Sequence, residues 1–246
     1  MRRRRRAPAR RWGALAGLIA VSVLAAACGT SQYRYVTDSR PNLQYLVNIP
    51  NREPVSLTVK ASSTYLKLPT SWHLFSQLDY LVHAGVGSLP PDKQFDTARK
   101  FVFTPFDGNT IATLDNVDKQ DGAAPSGLEE IVVLDDQQRD TFSLSTIRNF
   151  SIKYDQAQSD SQSKKTSPTI RIVSQNPALV RPGGYHGSEI VYSVNEPDGT
   201  TQTIDQVAMV DAPTRVLYVL SIGCEAHCFT AYQSMISTIV RSWTIK

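Results

Sequence analysis

Cys224-Glu225-Ala226-His227-Cys228 is the short stretch of this chain in which residue types and spacing together support chemistry. Two thiols four residues apart, with an imidazole next to the second, offer three chemistries. In an oxidising compartment the pair closes as a disulfide. As thiolates, Cys224 and Cys228 join His227 in a soft sulfur–nitrogen set suited to copper or zinc. Cycling between thiol and disulfide is the third. The disulfide is the first reading in an exported chain, because the pair falls between an apolar run and an amphipathic one, where a bridge clamps a helix start. So short a loop removes little chain entropy, and the bridge is worth about 2 kcal/mol or less.

The other reactive residue types are less well arranged. His73 and His83 lie ten apart on a predicted helix, which leaves them about 80° apart around its axis and unsuited to share a metal. Pro182-Gly183-Gly184-Tyr185-His186-Gly187 precedes a strand and does not open a helix, so it lacks the phosphate-binding context. Its glycines serve a turn, and Tyr185 and His186 are the ligand-contact candidates that such a loop presents. Glu129-Glu130 and Asp135-Asp136 flank an apolar run. Adjacent strand residues point to opposite faces, so neither pair makes a two-carboxylate site, and both are expected as solvated strand ends. No GxSxG elbow is present. The residues assign no catalytic group, no resident metal and no cofactor, and the chain is expected not to be an enzyme.

The start of the chain supplies an address. Arg2 to Arg6, Arg10 and Arg11 are followed by apolar and small residues from Gly13 to Leu24, and then by Ala25-Ala26-Ala27-Cys28. This is the order of a secretory signal. Residues 25–28 resemble the bacterial lipobox, with Ala25 where leucine is commonest and Leu24 one position early. The apolar run is shorter than the ~20 residues of a spanning helix. Residues 1–27 are therefore expected to be a lipoprotein signal peptide, and Cys28 the site of lipidation that holds the chain to the extracytoplasmic face of a cell membrane. Seven of the 26 Lys and Arg precede Cys28 and none of the 22 Asp and Glu does. Cleavage leaves 19 bases against 22 acids, a net charge of −3, which removes the electrostatic case for a nucleic-acid partner.

These residues need elements to position them. Residues 28–54 lack sustained periodicity and are expected to be a tether, with Tyr33, Tyr35, Tyr45 and Leu46 able to dock. Residues 55–246 are expected to form a single domain. Val55, Leu57 and Val59 alternate as in a strand, and 65–69, 101–103, 110–114 and 128–134 are further strand candidates. His73 to Ala84 has apolar residues at helical spacing. Asp140-Thr141-Phe142-Ser143 before Leu144, Ile147 and Phe150, a Ser or Asp cap followed by apolar residues three apart, predicts a short helix. Residues 155–167 carry one alanine and no larger apolar side chain, which predicts a mobile loop. Strands follow over 169–174, 188–195, 201–210 and 215–222, with Pro197-Asp198-Gly199-Thr200 and Ala212-Pro213-Thr214 as turns. Phe229, Tyr232, Met235, Ile236, Ile239 and Val240 make an amphipathic helix, and 242–246 a closing strand. The fold class is α+β, an antiparallel sheet with flanking helices that include a C-terminal amphipathic one.

Leu68-Pro69-Thr70-Ser71-Trp72, the hairpin from Ile190 to Val210, Tyr218-Val219-Leu220 and the ending from Ile236 to Ile245 together resemble the PsbP/Mog-like fold, and most the actinobacterial LpqN-type lipoproteins that share it. The resemblance spans residues 55–246. It implies an antiparallel sheet with flanking helices and a binding or assembly role without catalysis, toward an envelope protein or small ligand. A copper-, zinc- or thiol-handling lipoprotein using Cys224, His227 and Cys228 is the alternative.

Overall fold

Period-two alternation becomes a seven-stranded antiparallel sheet. The computed structural model describes residues 33–37, 42–47, 55–75, 98–105, 122–149, 155, 159, 170–196 and 198–246, all within one unit, Tyr33–Lys246. In chain order the elements are β1 (Tyr33–Thr37), β2 (Asn42–Val47), β3 (Val55–Lys60), β4 (Thr64–Pro69), β5 (Trp72–Phe75), β6 (Ala98–Pro105), β7 (Ser126–Val133), α1 (Asp136–Asp140), α2 (Leu144–Arg148), β8 (Ile170–Arg181), β9 (Tyr185–Asn195), β10 (Thr201–Val210), β11 (Val216–Glu225), α3 (Ala226–Ser242) and β12 (Thr244–Ile245). The main sheet has the order β5-β6-β7-β11-β10-β9-β8, a second sheet is β1-β4-β12, and β2 pairs with β3.

Local turns build the C-terminal half of the main sheet. Between β9 and β10, Gly199 takes φ 89° and the Thr200 amide donates to Asp198 Oδ1 at 2.8 Å. Between β10 and β11, Asp211 Oδ1 accepts from the amides of Arg215 at 2.6 Å and Val216 at 3.0 Å. Gly187 is required in β9 for another reason. A Cβ there would collide with the Ala208 carbonyl of the neighbouring strand.

One face of the sheet carries Val207 and Met209 of β10, Val216, Tyr218, Leu220 and Ile222 of β11, and Ile131 and Val133 of β7. Phe229, Ile236, Ile239 and Val240 of α3 cover it, and burying each such side chain contributes about 1.5–3 kcal/mol. The opposite face buries Ala208, Val210, Leu217 and Val219 against Leu134 and Ile147 of the α1–α2 region. Of the expected Ser and Asp caps it is Ser143 that caps α2, accepting from the Thr146 amide. α3 ends where Trp243 turns extended, and Ser242 Oγ there accepts from the Lys67 amide at 2.8 Å while donating to the Ile239 carbonyl at 2.7 Å. The helix end is thereby tied to β4.

Three expectations change. His73 to Phe75, read as the start of a helix over 73–84, lies in β5 and pairs with Thr104 to Val102 of β6. Trp72 and Phe75 are both buried there, and pairing with a distant strand overrides the local spacing. Residues 76–84 lie outside the described residues, as do 110–114, Cys28 with the rest of 1–32, and all of the expected loop 155–167 except Asp155 and Ser159. The stretch read as a tether over 28–54 contains β1 and β2. β1 completes the free edge of β4, held by the Arg34 guanidinium donating to the Trp72 carbonyl at 2.8 Å. Finally, Asp135 and Asp136 are exposed, as expected, but they start a helix and do not end a strand. Asp135 Oδ1 accepts from the Gln138 amide at 2.7 Å, and Gln138 reaches back to the Asp135 amide.

Candidate functional site

The end of β11 and the start of α3 bring the motif residues together. Cys224 and Cys228 are joined as a disulfide with their Cα atoms 5.9 Å apart, and each is 3% exposed. The bridge fastens the end of β11 to the first turn of α3. That matters because Glu225, the α3 N-cap, makes no side-chain cap bond. Its carboxylate instead faces His227, Oε2 to Nδ1 3.2 Å. His227 is exposed and both sulfurs are engaged with each other, so the three groups are not presented as a ligand set. Among the described residues no group of three or more His, Cys, Asp and Glu is placed to hold a metal.

The sheet face beneath α3 continues from the disulfide across β10 and β9. Thr203 lies opposite Cys224 on one side and Ser193 on the other, and the Thr203 and Ser193 hydroxyls are 3.0 Å apart. One step along the same face is Asp205, between Ile222 of β11 and Val191 of β9. It is 5% exposed, and its Oδ1 has no hydrogen-bond partner. Glu189, paired with Val207, is its diagonal neighbour on that face. Burial, with the negative charge of Glu189 added, pushes the Asp205 carboxyl up to about 7. Near neutral pH this group is divided between acid and carboxylate, so it is able to donate or accept a hydrogen bond and to receive a cation.

Asp205 was not among the residues singled out from the sequence. Its signal is the two-residue spacing to Val207 and Met209, which assigns an acid to the buried face of a strand.

The loop candidates are placed differently. Tyr185 is not a loop contact. It begins β9, is buried, donates its hydroxyl to Ser62 Oγ at 2.6 Å, and meets Tyr218 edge-on with ring centroids 5.8 Å apart. The Ser62 amide in turn donates to Tyr218 Oη at 2.8 Å. Burial pushes the Tyr218 phenol up to about 12. An aromatic ring at the inward-facing start of a strand gains more from this packing than from exposure. His186 is half-buried, with Nδ1 3.3 Å from the Gly184 carbonyl. Gly183 and Gly184 both take positive φ, in keeping with the expected turn.

Glu129 is a further correction. It is not a solvated strand end but lies within β7, 2% exposed, and accepts from Trp243 Nε1 at 2.7 Å. Alternation along β7 places Glu129 on the buried face with Gly127, Ile131 and Val133 and leaves Glu130 on the half-buried one. The indole donor keeps a polar contact on the buried carboxyl group. This bond connects β7 to the residue that ends α3.

No protein-family model and no curated protein matches the chain. Solved structures similar to it include the Ran-binding protein Mog1p of Saccharomyces cerevisiae, at 13% identity and a TM-score of 0.37, covering 74% of this chain and 89% of that one. They include the cyanobacterial PsbP, CyanoP, of Synechocystis sp. PCC 6803, at 10% identity and a TM-score of 0.37, covering 89% and 96%. LpqN of Mycobacterium tuberculosis, described as involved in cell envelope biogenesis, has 12% identity and a TM-score of 0.37, covering 87% and 91%. Antiparallel sheets with few helices, one of them C-terminal, make the fold class α+β, as the residue pattern implied. Nothing about activity or partner follows from likenesses at this level.

Proposed function

We propose that the chain is a lipid-anchored lipoprotein on the extracytoplasmic face of a bacterial cell membrane, and that its α+β domain binds a partner without catalysing a reaction. One observation carries this reading: a buried Cys224–Cys228 disulfide stands downstream of an arginine-rich leader that ends in Ala-Ala-Ala-Cys28. A disulfide persists where thiols are not kept reduced, outside the cytoplasm. The lipobox-like ending supplies the thiol for a lipid. A single acyl chain gives weak attachment and two chains a stable one, so a diacylated Cys28 would hold the mildly acidic domain firmly at the membrane.

The test is fractionation of cells expressing the chain, with labelling by an alkyne-bearing palmitate analogue. The wild-type chain partitions with the membrane and takes up label. Cys28→Ala abolishes label and, where the leader is still cut, releases the domain to the soluble fraction. Labelling that survives Cys28→Ala, or a wild-type domain recovered with free Cys224 and Cys228 thiols, overturns the reading.

A further inference from the structure

The sheet face beside α3 holds an arrangement that the fold does not use. Asp205 and Glu189 occupy neighbouring strands, one register step apart on one face. Asp205 Oδ1 is buried without a partner, and among the described residues neither carboxyl group has an ion pair. Fold stability alone would favour an apolar side chain at position 205, between Ile222 and Val191, since an unmatched buried carboxyl is costly. The adjoining Ser193–Thr203 hydroxyl pair extends the polar strip toward the disulfide. Glu189 and Ser193 are only half-buried, so the strip reaches the surface on the β9 side.

We propose that this strip receives the guanidinium group of an arginine side chain from a protein partner, held between the carboxyl groups of Asp205 and Glu189. Charge complementarity selects a cation. Two diagonal carboxyl groups select the planar fork of a guanidinium, which offers paired donors to each and tolerates desolvation better than an ammonium. Val191 and Ile222, the cross-strand neighbours of Asp205, make its surroundings apolar. The inference rests on the binding-module reading and names the chemistry of the partner.

The ionisable groups around Asp205 set how binding depends on pH. On the same face, β9 supplies Glu189 and Tyr185, β11 supplies Tyr218, and β8 supplies Arg171 and Arg181. From α3 come the exposed His227, already paired with Glu225, together with Tyr232 and Arg241. Arg171 is exposed, lies opposite Ser193, and forms no ion pair with either carboxyl group among the described residues. A guanidinium binds the carboxylate form of Asp205, which a group titrating at about 7 holds mostly above that pH. Affinity should therefore rise about tenfold from pH 6 to pH 8.

The experiment titrates the full chain, in detergent micelles, with L-argininamide, L-lysinamide and the uncharged isostere L-citrullinamide, following backbone amide shifts by NMR. The expected result is saturable shifts confined to residues 189–193 and 203–207 with argininamide, about tenfold tighter at pH 8 than at pH 6. Citrullinamide should bind at least about tenfold more weakly. Asp205→Asn should abolish the saturable shifts, and Glu189→Gln should weaken binding several-fold while losing none of the fold. Absence of saturable shifts at pH 8, or their persistence in Asp205→Asn, overturns the site. Equal binding of lysinamide overturns the guanidinium assignment. Neither failure touches membrane attachment through Cys28, which the labelling experiment tests separately.

Discussion

Replacing Asp205 by Asn should stabilise the protein, and by an amount that grows with pH. In the folded chain the carboxyl group titrates at about 7 against an ordinary value of 3.8, chiefly because burial disfavours its charge. As the pH rises between these two values, the unfolded chain gives up this proton first. Stability therefore falls over that window and levels off above it. At 1.36 kcal/mol for each tenfold change in proton affinity, the loss amounts to about 4 kcal/mol by pH 8 and about 1 kcal/mol by pH 4.5. Asparagine has the shape of the neutral acid and does not titrate. The variant should thus resemble the wild type near pH 4 and exceed it by about 4 kcal/mol at pH 8. Urea denaturation of both proteins from pH 4.5 to 8.5 measures the difference, and the remaining acids cancel because both chains carry them. A stability difference that stays constant with pH, or a variant less stable than the wild type at pH 8, would refute the reasoning. Such a result would mean that Asp205 is charged and compensated in the folded chain.

Two further outcomes follow from the contacts around α3. Trp243→Phe keeps most of the ring but removes the donor to Glu129 Oε1, and should cost roughly 1–3 kcal/mol in chemical denaturation. A Trp243→Phe chain matching the wild type within about 0.5 kcal/mol would show that the bond adds nothing. Replacing Cys224 and Cys228 together by Ser should cost about 2 kcal/mol, and amide hydrogen exchange should show the first turn of α3 opening before the rest of the helix, since Glu225 provides no side-chain cap. Uniform exchange along α3 in that variant would count against a clamping role.

What could be read from the residues follows from how far apart in the chain each interaction reaches. The hairpins β9–β10 and β10–β11 close through local turns, read from Pro197-Asp198-Gly199-Thr200 in one and Ala212-Pro213-Thr214 in the other, so their strands were legible, while the part of Asp211 in the second turn was not. So was α3, whose apolar spacing lines up with a single buried face. The short α1 was not, because Asp135 and Gln138 cap each other over three residues that also read as a polar strand end. β5 escaped because four residues are too few to show alternation, and the helical spacing that runs on from His73 to Ala84 is the stronger local pattern. The acids were the harder case. Adjacent Glu129 and Glu130 look like surface, yet Glu129 finds its donor 114 residues away in Trp243, a pairing that only the folded sheet creates. Asp205 is the converse. Its place beside Val207 and Met209 marks it as inward-facing, but no nearby residue announces a partner, and the structure supplies none for Oδ1. A buried acid with a donor is explained by the fold that holds it. A buried acid without one, next to a second and half-buried carboxyl group, is accounted for by the proposed arginine from outside, which is why that site is placed at Asp205 and not at Tyr185 and His186 at the start of β9.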